Sequence, residues 1–265
     1  MSELNDLYKK MLNTVYTQGS VVDNTKELLN YSFTINDISE NVIALNGRHQ
    51  PHYTIGELLW YWSGRNDVEF IKKFGSYWEK ITDDGVTSNS AYGYILMKKF
   101  GYNQIELAIR QLKEQPHSRR AIMNINTPDR NKIITRDLQC TISLIPYIRD
   151  NKVHMTAIMR SNDIITGVPF DVTYFTEVQK YIARRLGLET GSYTHFDVSL
   201  HLYEKDFNKV EKICLSEDLK VKYNLELLHN DYVMKTLINY VDNKWKGKED
   251  FLELCKDLGV YKELD

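Results

Sequence analysis

One thiol, two carboxylates and a set of arginines are the side chains in this sequence best suited to act together on a small substrate. Cys140 precedes an apolar run, ISLIPYI. A thiolate is a strong nucleophile, but a free thiol ionises only near pH ~8.5, so a neighbouring cation matters. A lone cysteine beside a strand also reads as a small core residue. Glu57 lies against Leu58-Leu59-Trp60. Desolvating an unpaired carboxylate is costly, so Glu57 is partnered, functional, or turned out as a helix cap. Ser118-Arg119-Arg120 stands at the entry to a strand. Its planar guanidinium groups suit a phosphate, although a solvated loop end has the same composition. Arg160-Ser161-Asn162-Asp163 places four polar side chains after an alternating strand, and Gly167-Val168-Pro169-Phe170-Asp171 leads into a long helix. An Asp at such a position is a cap or an acceptor aimed at a ligand.

The elements that must position these residues follow from periodicity. A helix is predicted over 3–17, with Leu4, Leu7, Met11, Leu12 and Val15 near one face, and a strand over 28–36. Thr54, with Glu57 three residues on, predicts an N-cap and a buried helix over 55–63, and a second helix covers 66–74. Residues 82–91 are polar and turn-rich, and Tyr92-Gly93 extends that loop. A helix over 103–114 ends before Pro116, and SRRAIMNIN enters a strand. Strands 139–149 and 152–160 are joined at Asp150-Asn151. The clearest helix is 170–186, stopped by Gly187. Residues 193–203 read as a strand, with helices near 204–214 and 228–243. This is an α+β pattern in one domain over 1–265, without βαβ alternation.

Composition narrows the classes. The chain has 265 residues, 26% charged, with a formal net charge of -2, so the basic excess expected of a nucleic-acid binder is absent. No apolar run reaches the roughly 18 residues of a membrane span. The N-terminus carries charges throughout and has no secretory signal core. Cys140, Cys214 and Cys255 show no metal-ligand spacing, and their odd number predicts a reducing, cytoplasmic setting.

Taken in order, these pieces resemble the thymidylate synthase superfamily over roughly residues 55–205. The series is Glu57 in a Trp/Tyr-rich helix, NSAYGY, SRRAIM, Cys140, RSNDIITGVPFD and His201-Leu202-Tyr203. The resemblance implies a large mixed sheet flanked by helices and a homodimer packed sheet to sheet. Cys140 matches the nucleophile. Arg160 and Ser161 match phosphate ligands, and Arg119 and Arg120 match arginines that reach the other subunit's site. Glu57 and Tyr92 match proton-relay residues, and His201 and Tyr203 match sugar contacts. Asp163, Trp78 and Gly167 fall on the folate side. The implied co-substrate is 5,10-methylenetetrahydrofolate, without a metal. The family's Arg-rich N-terminal phosphate loop matches SVVDNTKELLNYSF, where Lys26 is the available substitute, and Arg48 is a further folate-side or phosphate-side candidate.

Asp171 departs from thymidylate synthases, which carry Asn there. An ionised carboxylate offers only acceptors, which suits the amino group of cytosine and opposes O4 of uracil. Asp is the pattern of the cytidylate hydroxymethylases. Thr141 after the cysteine, and an end GVYKELD without a short apolar terminus, point the same way. The expectation is transfer to C5 of dCMP with water capture, giving a hydroxymethyl product. A CMP enzyme of antimetabolite biosynthesis, a dCMP methylase, a dUMP-using relative and an inactive nucleotide-binding dimer are the alternatives.

Overall fold

The computed structural model describes residues 2–128 and 134–264. Its helices are α1 (Glu3–Gln18), α2 (Pro51–Trp62), α3 (Val68–Ile71), α4 (Tyr77–Ile81), α5 (Tyr92–Met97), α6 (Gln104–Glu114), α7 (Val168–Leu186), α8 (Phe207–Cys214), α9 (Asp231–Asn243) and α10 (Lys248–Asp257). Its strands are β1 (Ser20–Val22), β2 (Thr25–Ile35), β3 (Met123–Asn124), β4 (Thr141–Arg149), β5 (Lys152–Met159), β6 (Asn162–Asp163), β7 (Glu189–Tyr203), β8 (Val221–Tyr223) and β9 (Tyr261–Glu263). The chain divides into two compact units. The first comprises Met1–His49, Ile105–Asn124 and Cys140–Leu219, and the second Gln50–Gln104, Ile125–Gln139 and Lys220–Asp265.

The first unit is built on a mixed sheet in the order β1-β2-β7-β5-β4-β3, with β6 also paired to β7. β5 runs parallel to β7, whereas β2–β7 and β4–β5 are antiparallel. Along β5 the residues Val153, Met155, Ala157 and Met159 are buried and alternate with more exposed ones. Helix α7 covers this face, packing on β5 and β7. Its stripe Val172, Phe175, Val178 and Ile182 is buried, and Pro169 in its first turn is pre-set for a helix. Gly187 closes it at φ 68, a left-handed cap that a side chain would disfavour. Asp150 and Asn151, at φ 49 and 58, make the left-handed pair of a type I′ turn between β4 and β5. The second unit groups α2–α5, α9 and α10 with the antiparallel pair β8–β9.

The α+β expectation with a mixed sheet and flanking helices agrees with this architecture. Several boundaries do not. Helix α2 starts at Pro51, with Gln50 at its N-cap, so Thr54 is a buried interior residue and not a cap. The segment 66–74 yields only α3, whose cap is the Asp67 side chain accepting from Phe70 N–H. Tyr92-Gly93 opens α5 instead of ending a loop. Cys140 lies one residue before β4, and β3 is only Met123–Asn124. Lys26, expected in a phosphate-binding loop, lies in strand β2.

Candidate active site

In the first unit a β-bulge brings the nucleophile candidate to its cation. From Arg149↔Lys152 to Ser143↔Ile158 the β4–β5 register is regular, then it shifts between Thr141 and Ser143 so that Thr141 faces Met159. The residue absorbed is Ile142, and the shift sets Cys140 opposite Arg160. The Arg160 N–H donates to the Cys140 carbonyl at 2.8 Å. Arg160 Nη2 stands 3.8 Å from Cys140 Sγ. Cys140 is half-buried. A guanidinium at this distance favours thiolate over thiol. Thr141, buried behind it, donates from its hydroxyl to Met159 Sδ at 3.1 Å.

The RSND segment continues from this pair. Ser161 is half-buried, and β6 then docks in parallel on β7 with Asp163 beside His201. Asp163 shapes its own loop: its carboxylate accepts from Ile165 N–H at 2.8 Å and from the Thr166 hydroxyl at 2.6 Å. The His201 and Tyr203 rings meet edge to face at 5.1 Å. Burial first, then the charge of Asp163, then that of Cys140, push the Tyr203 hydroxyl up.

Asp171 lies in the first turn of α7 and is half-buried. Gly167 is the N-cap, with no side-chain cap bond, and Asp171 N–H donates to its carbonyl at 3.0 Å. Asp171 thus stands four residues past the N-cap of α7. Gly167 is needed for close approach, since a methyl group there would overlap Asn162 Oδ1 and the Asp163 carbonyl. Arg48 is 8% exposed, donates to the Ile165 carbonyl and lies 5.2 Å from the Phe170 ring. It clamps the loop that leads into α7.

Two further groups of candidates have contacts of their own. The Lys26 ammonium donates to the Tyr16 carbonyl at 2.6 Å and sits 4.7 Å from the Tyr16 ring, so it is engaged at the end of α1. Arg119 and Arg120 are exposed before β3, in a turn where Arg120 N–H donates to Ser118 Oγ at 3.2 Å.

The second unit holds the acid–base candidates. Glu57 is 6% exposed on α2. The Tyr53 hydroxyl donates to Glu57 Oε1 at 2.8 Å, and Trp78 Nε1–H donates to the Tyr53 hydroxyl at 3.0 Å. Burial pushes the Glu57 carboxyl up to about 7, against the opposing pull of the Tyr53 and Trp78 hydrogen bonds. A carboxyl near neutrality can give and take protons at ordinary pH. Tyr92, 6% exposed, stacks on Tyr61 at 5.6 Å between centroids. Gly93 lets α5 press on the Tyr61 backbone, where a methyl group would overlap the carbonyl. Tyr53 escaped the sequence reading. Its signal is the four-residue spacing to Glu57, visible only once the helix starts at Pro51 instead of after Thr54.

Among the described residues no helix is long and apolar enough to cross a membrane. No group of three or more His, Cys, Asp or Glu among them could hold a metal ion.

The family profile described as thymidylate synthase matches residues 6–241, and the chain belongs to that family. It runs through both units. Members of this family use methylenetetrahydrofolate as co-substrate. The chain is 34% identical over 163 residues to a deoxyuridylate hydroxymethyltransferase of Pseudomonas phage M6, covering 60% of this chain and 46% of that protein. It is 28% identical over 244 residues to the deoxyuridylate hydroxymethyltransferase of Bacillus phage SP01, covering 85% of this chain and 63% of that one. Thymidylate synthase 1 of Bacillus spizizenii is 31% identical over 165 residues, 59% of each chain. The matched part thus spans less than two thirds of each of these relatives. Among solved structures, thermostable thymidylate synthase A from Bacillus subtilis has the same fold, with a TM-score of 0.71 and 22% identity, covering 100% of this chain and 95% of that one.

Proposed function

We propose that this chain transfers a one-carbon unit from 5,10-methylenetetrahydrofolate to C5 of a pyrimidine nucleotide, with dCMP as the favoured substrate and 5-hydroxymethyl-dCMP and tetrahydrofolate as products. The observation that carries the reading is Arg160 Nη2 at 3.8 Å from Cys140 Sγ on the bulged end of the β4–β5 hairpin. The Cys140 thiolate adds to C6, and the electron pair released to C5 attacks the methylene carbon of the folate. Loss of the C5 proton and departure of tetrahydrofolate leave an exocyclic methylene. Water adds to that methylene as hydroxide, and the sulfur leaves C6 to restore the ring. Glu57, at about 7, and Tyr92 are assigned to the proton transfers.

Arg160 and Ser161 are assigned to the phosphate, with Arg119 and Arg120 serving the site of a partner in a homodimer. Lys26 joins them only by giving up the Tyr16 carbonyl. His201 and Tyr203 are assigned to the sugar, and Asp163, Trp78 and Gly167 to the folate side. The reading treats residues 1–265 as one catalytic domain, in keeping with a family match that runs through both units.

Asp171 supports cytosine, because a carboxylate in the first turn of α7 accepts from the N4 amino group. A second reading, hydroxymethylation of dUMP, is favoured by the names of the two phage relatives. The test is tritium release from C5-labelled dCMP, CMP and dUMP in the presence of the folate, with the product mass separating hydroxymethyl from methyl. Release from dUMP alone rejects the cytosine reading. Release from none of them rejects one-carbon transfer.

A further inference from the structure

Two aromatic side chains, neither of them charged, close on the buried acid of α2. Residues four apart on a helix lie one above the other, so Tyr53 and Glu57 share a face of α2. The Tyr53 hydroxyl is engaged on both sides. It accepts from Trp78 Nε1–H at 3.0 Å and donates to Glu57 Oε1 at 2.8 Å. Such a chain polarises its middle member, which strengthens the bond to the carboxylate. The rings are fixed as well. Tyr53 lies against Gly75, where an added methyl group would stand 3.2 Å from its ring. Trp78, 5% exposed, packs against Trp60 at 5.1 Å and Tyr77 at 5.4 Å between ring centroids. A Phe ring at position 53 would fill the same space, so the hydroxyl serves the two hydrogen bonds alone.

The charged neighbours of α2 are occupied elsewhere. The helix packs against α3, α5, α9, α10 and the short 3-10 helix Leu225–His229. Asp67 at the α3 cap and Asp242 of α9 bind Arg65. Lys248 and Glu249 of α10 act on His52. Tyr92 of α5 stacks on Tyr61, and His229 meets Trp62 edge to face. None of these charges is a cause of the Glu57 shift, which comes from burial upward and from the Tyr53 and then the Trp78 bonds downward. Burial and the Glu57 charge hold the Tyr53 phenol well above its ordinary value, so it stays a donor at any working pH.

We propose that Tyr53 is a positioning residue for proton transfer: its hydroxyl, held by the Trp78 indole, fixes the Glu57 carboxylate and favours the ionised form that burial opposes. A hydrogen bond given to a carboxylate stabilises its charged state, so without the phenol Glu57 would keep its proton to higher pH. This rests on Glu57 moving protons in the proposed reaction, but not on which base is used or which product is made.

The test compares wild type, Tyr53→Phe and Glu57→Gln. It reads the pH dependence of kcat/KM for tritium release from C5-labelled dCMP and dUMP with methylenetetrahydrofolate, together with urea stability at pH 5 and pH 8. A limb near pH 7 that is absent from the residual rate of Glu57→Gln belongs to Glu57. In Tyr53→Phe the midpoint of that limb is expected to rise by about one unit, whether Glu57 works as acid or as base. The stability lost between pH 5 and pH 8 is expected to grow, because the folded acid titrates higher while the unfolded one does not. A midpoint that stays in place, or falls, overturns the proposal and leaves the hydroxyl a satisfied core group. If Tyr53→Phe does not fold, Trp78→Phe takes its place by removing the donor to the hydroxyl. A smaller rise is then expected, and an unmoved midpoint overturns the proposal. Wild type that releases tritium from neither nucleotide rejects the proposed function itself. The stability difference between pH 5 and pH 8 then still decides whether Tyr53 sets the proton affinity of Glu57.

Discussion

Tyr53 and Glu57 face each other one turn apart on α2, the phenol donating to the carboxylate at 2.8 Å. The bond holds a buried acid in place and draws its proton affinity down, while burial pushes it up to about 7. The arrangement makes Glu57 a burden on the fold once its carboxyl ionises.

That burden has a definite sign. Glu57 moves from an ordinary 4.5 to about 7 on folding, so the folded chain binds more protons than the unfolded chain between those values. The stability associated with this group is complete below about pH 4.5 and falls as the pH rises through about 7, by up to about 3 kcal/mol. Glu57→Gln is expected to flatten this slope and to be more stable than wild type at pH 8, while losing most C5 tritium release. Urea unfolding at pH 5 and pH 8 checks the first point. A variant whose slope matches wild type would remove Glu57 as its source.

Arg160→Gln takes a cation from beside the thiol. Alkylation of Cys140 by a neutral reagent is expected to slow by about tenfold at pH 7, read by mass spectrometry against the slower Cys214. Equal rates in both proteins would show that Arg160 does not activate the sulfur.

Asp171→Asn exchanges an acceptor-only group for one with a donor. The ratio of kcat/KM for dUMP to that for dCMP is expected to rise by roughly tenfold to a hundredfold. A wild type that already prefers dUMP, with no change in the variant, would separate Asp171 from base choice.

Gly93→Ala forces a methyl group against the Tyr61 carbonyl. Overpacking on backbone costs about 1–3 kcal/mol and is expected to lower the melting temperature by roughly 2–4 °C for each kcal/mol. Thermal denaturation followed by circular dichroism reads it, and an unchanged midpoint would mean that α5 yields.

Much of this was legible in residue patterns. The β4–β5 alternation, the Asp150-Asn151 turn and the α7 stripe with Gly187 are local signals, each visible within a few residues. The order of Cys140, RSND and VPFD carried the family. What escaped depended on competition or on distance. Thr54-x-x-Glu57 imitates a capping box, but Pro51 supplies the helix start, and the misplaced boundary hid Tyr53. The bulge at Ile142 leaves no mark in an alternating run, so the closeness of Arg160 to Cys140 followed only from the family resemblance and not from the strand pattern.

The I′ turn and the bulge together carry a kinetic consequence. Cys140 and Arg160 sit at the open end of one hairpin closed by two residues, so their meeting needs only local chain closure, which is entropically cheap and fast. The sulfur and its cation can therefore come together while β2 and β7, far apart in the chain, are still searching for each other. Pulse-labelled hydrogen exchange during refolding is expected to protect the β4–β5 amides before those of β2. Simultaneous protection would mean that the long-range sheet must exist before the reactive pair does.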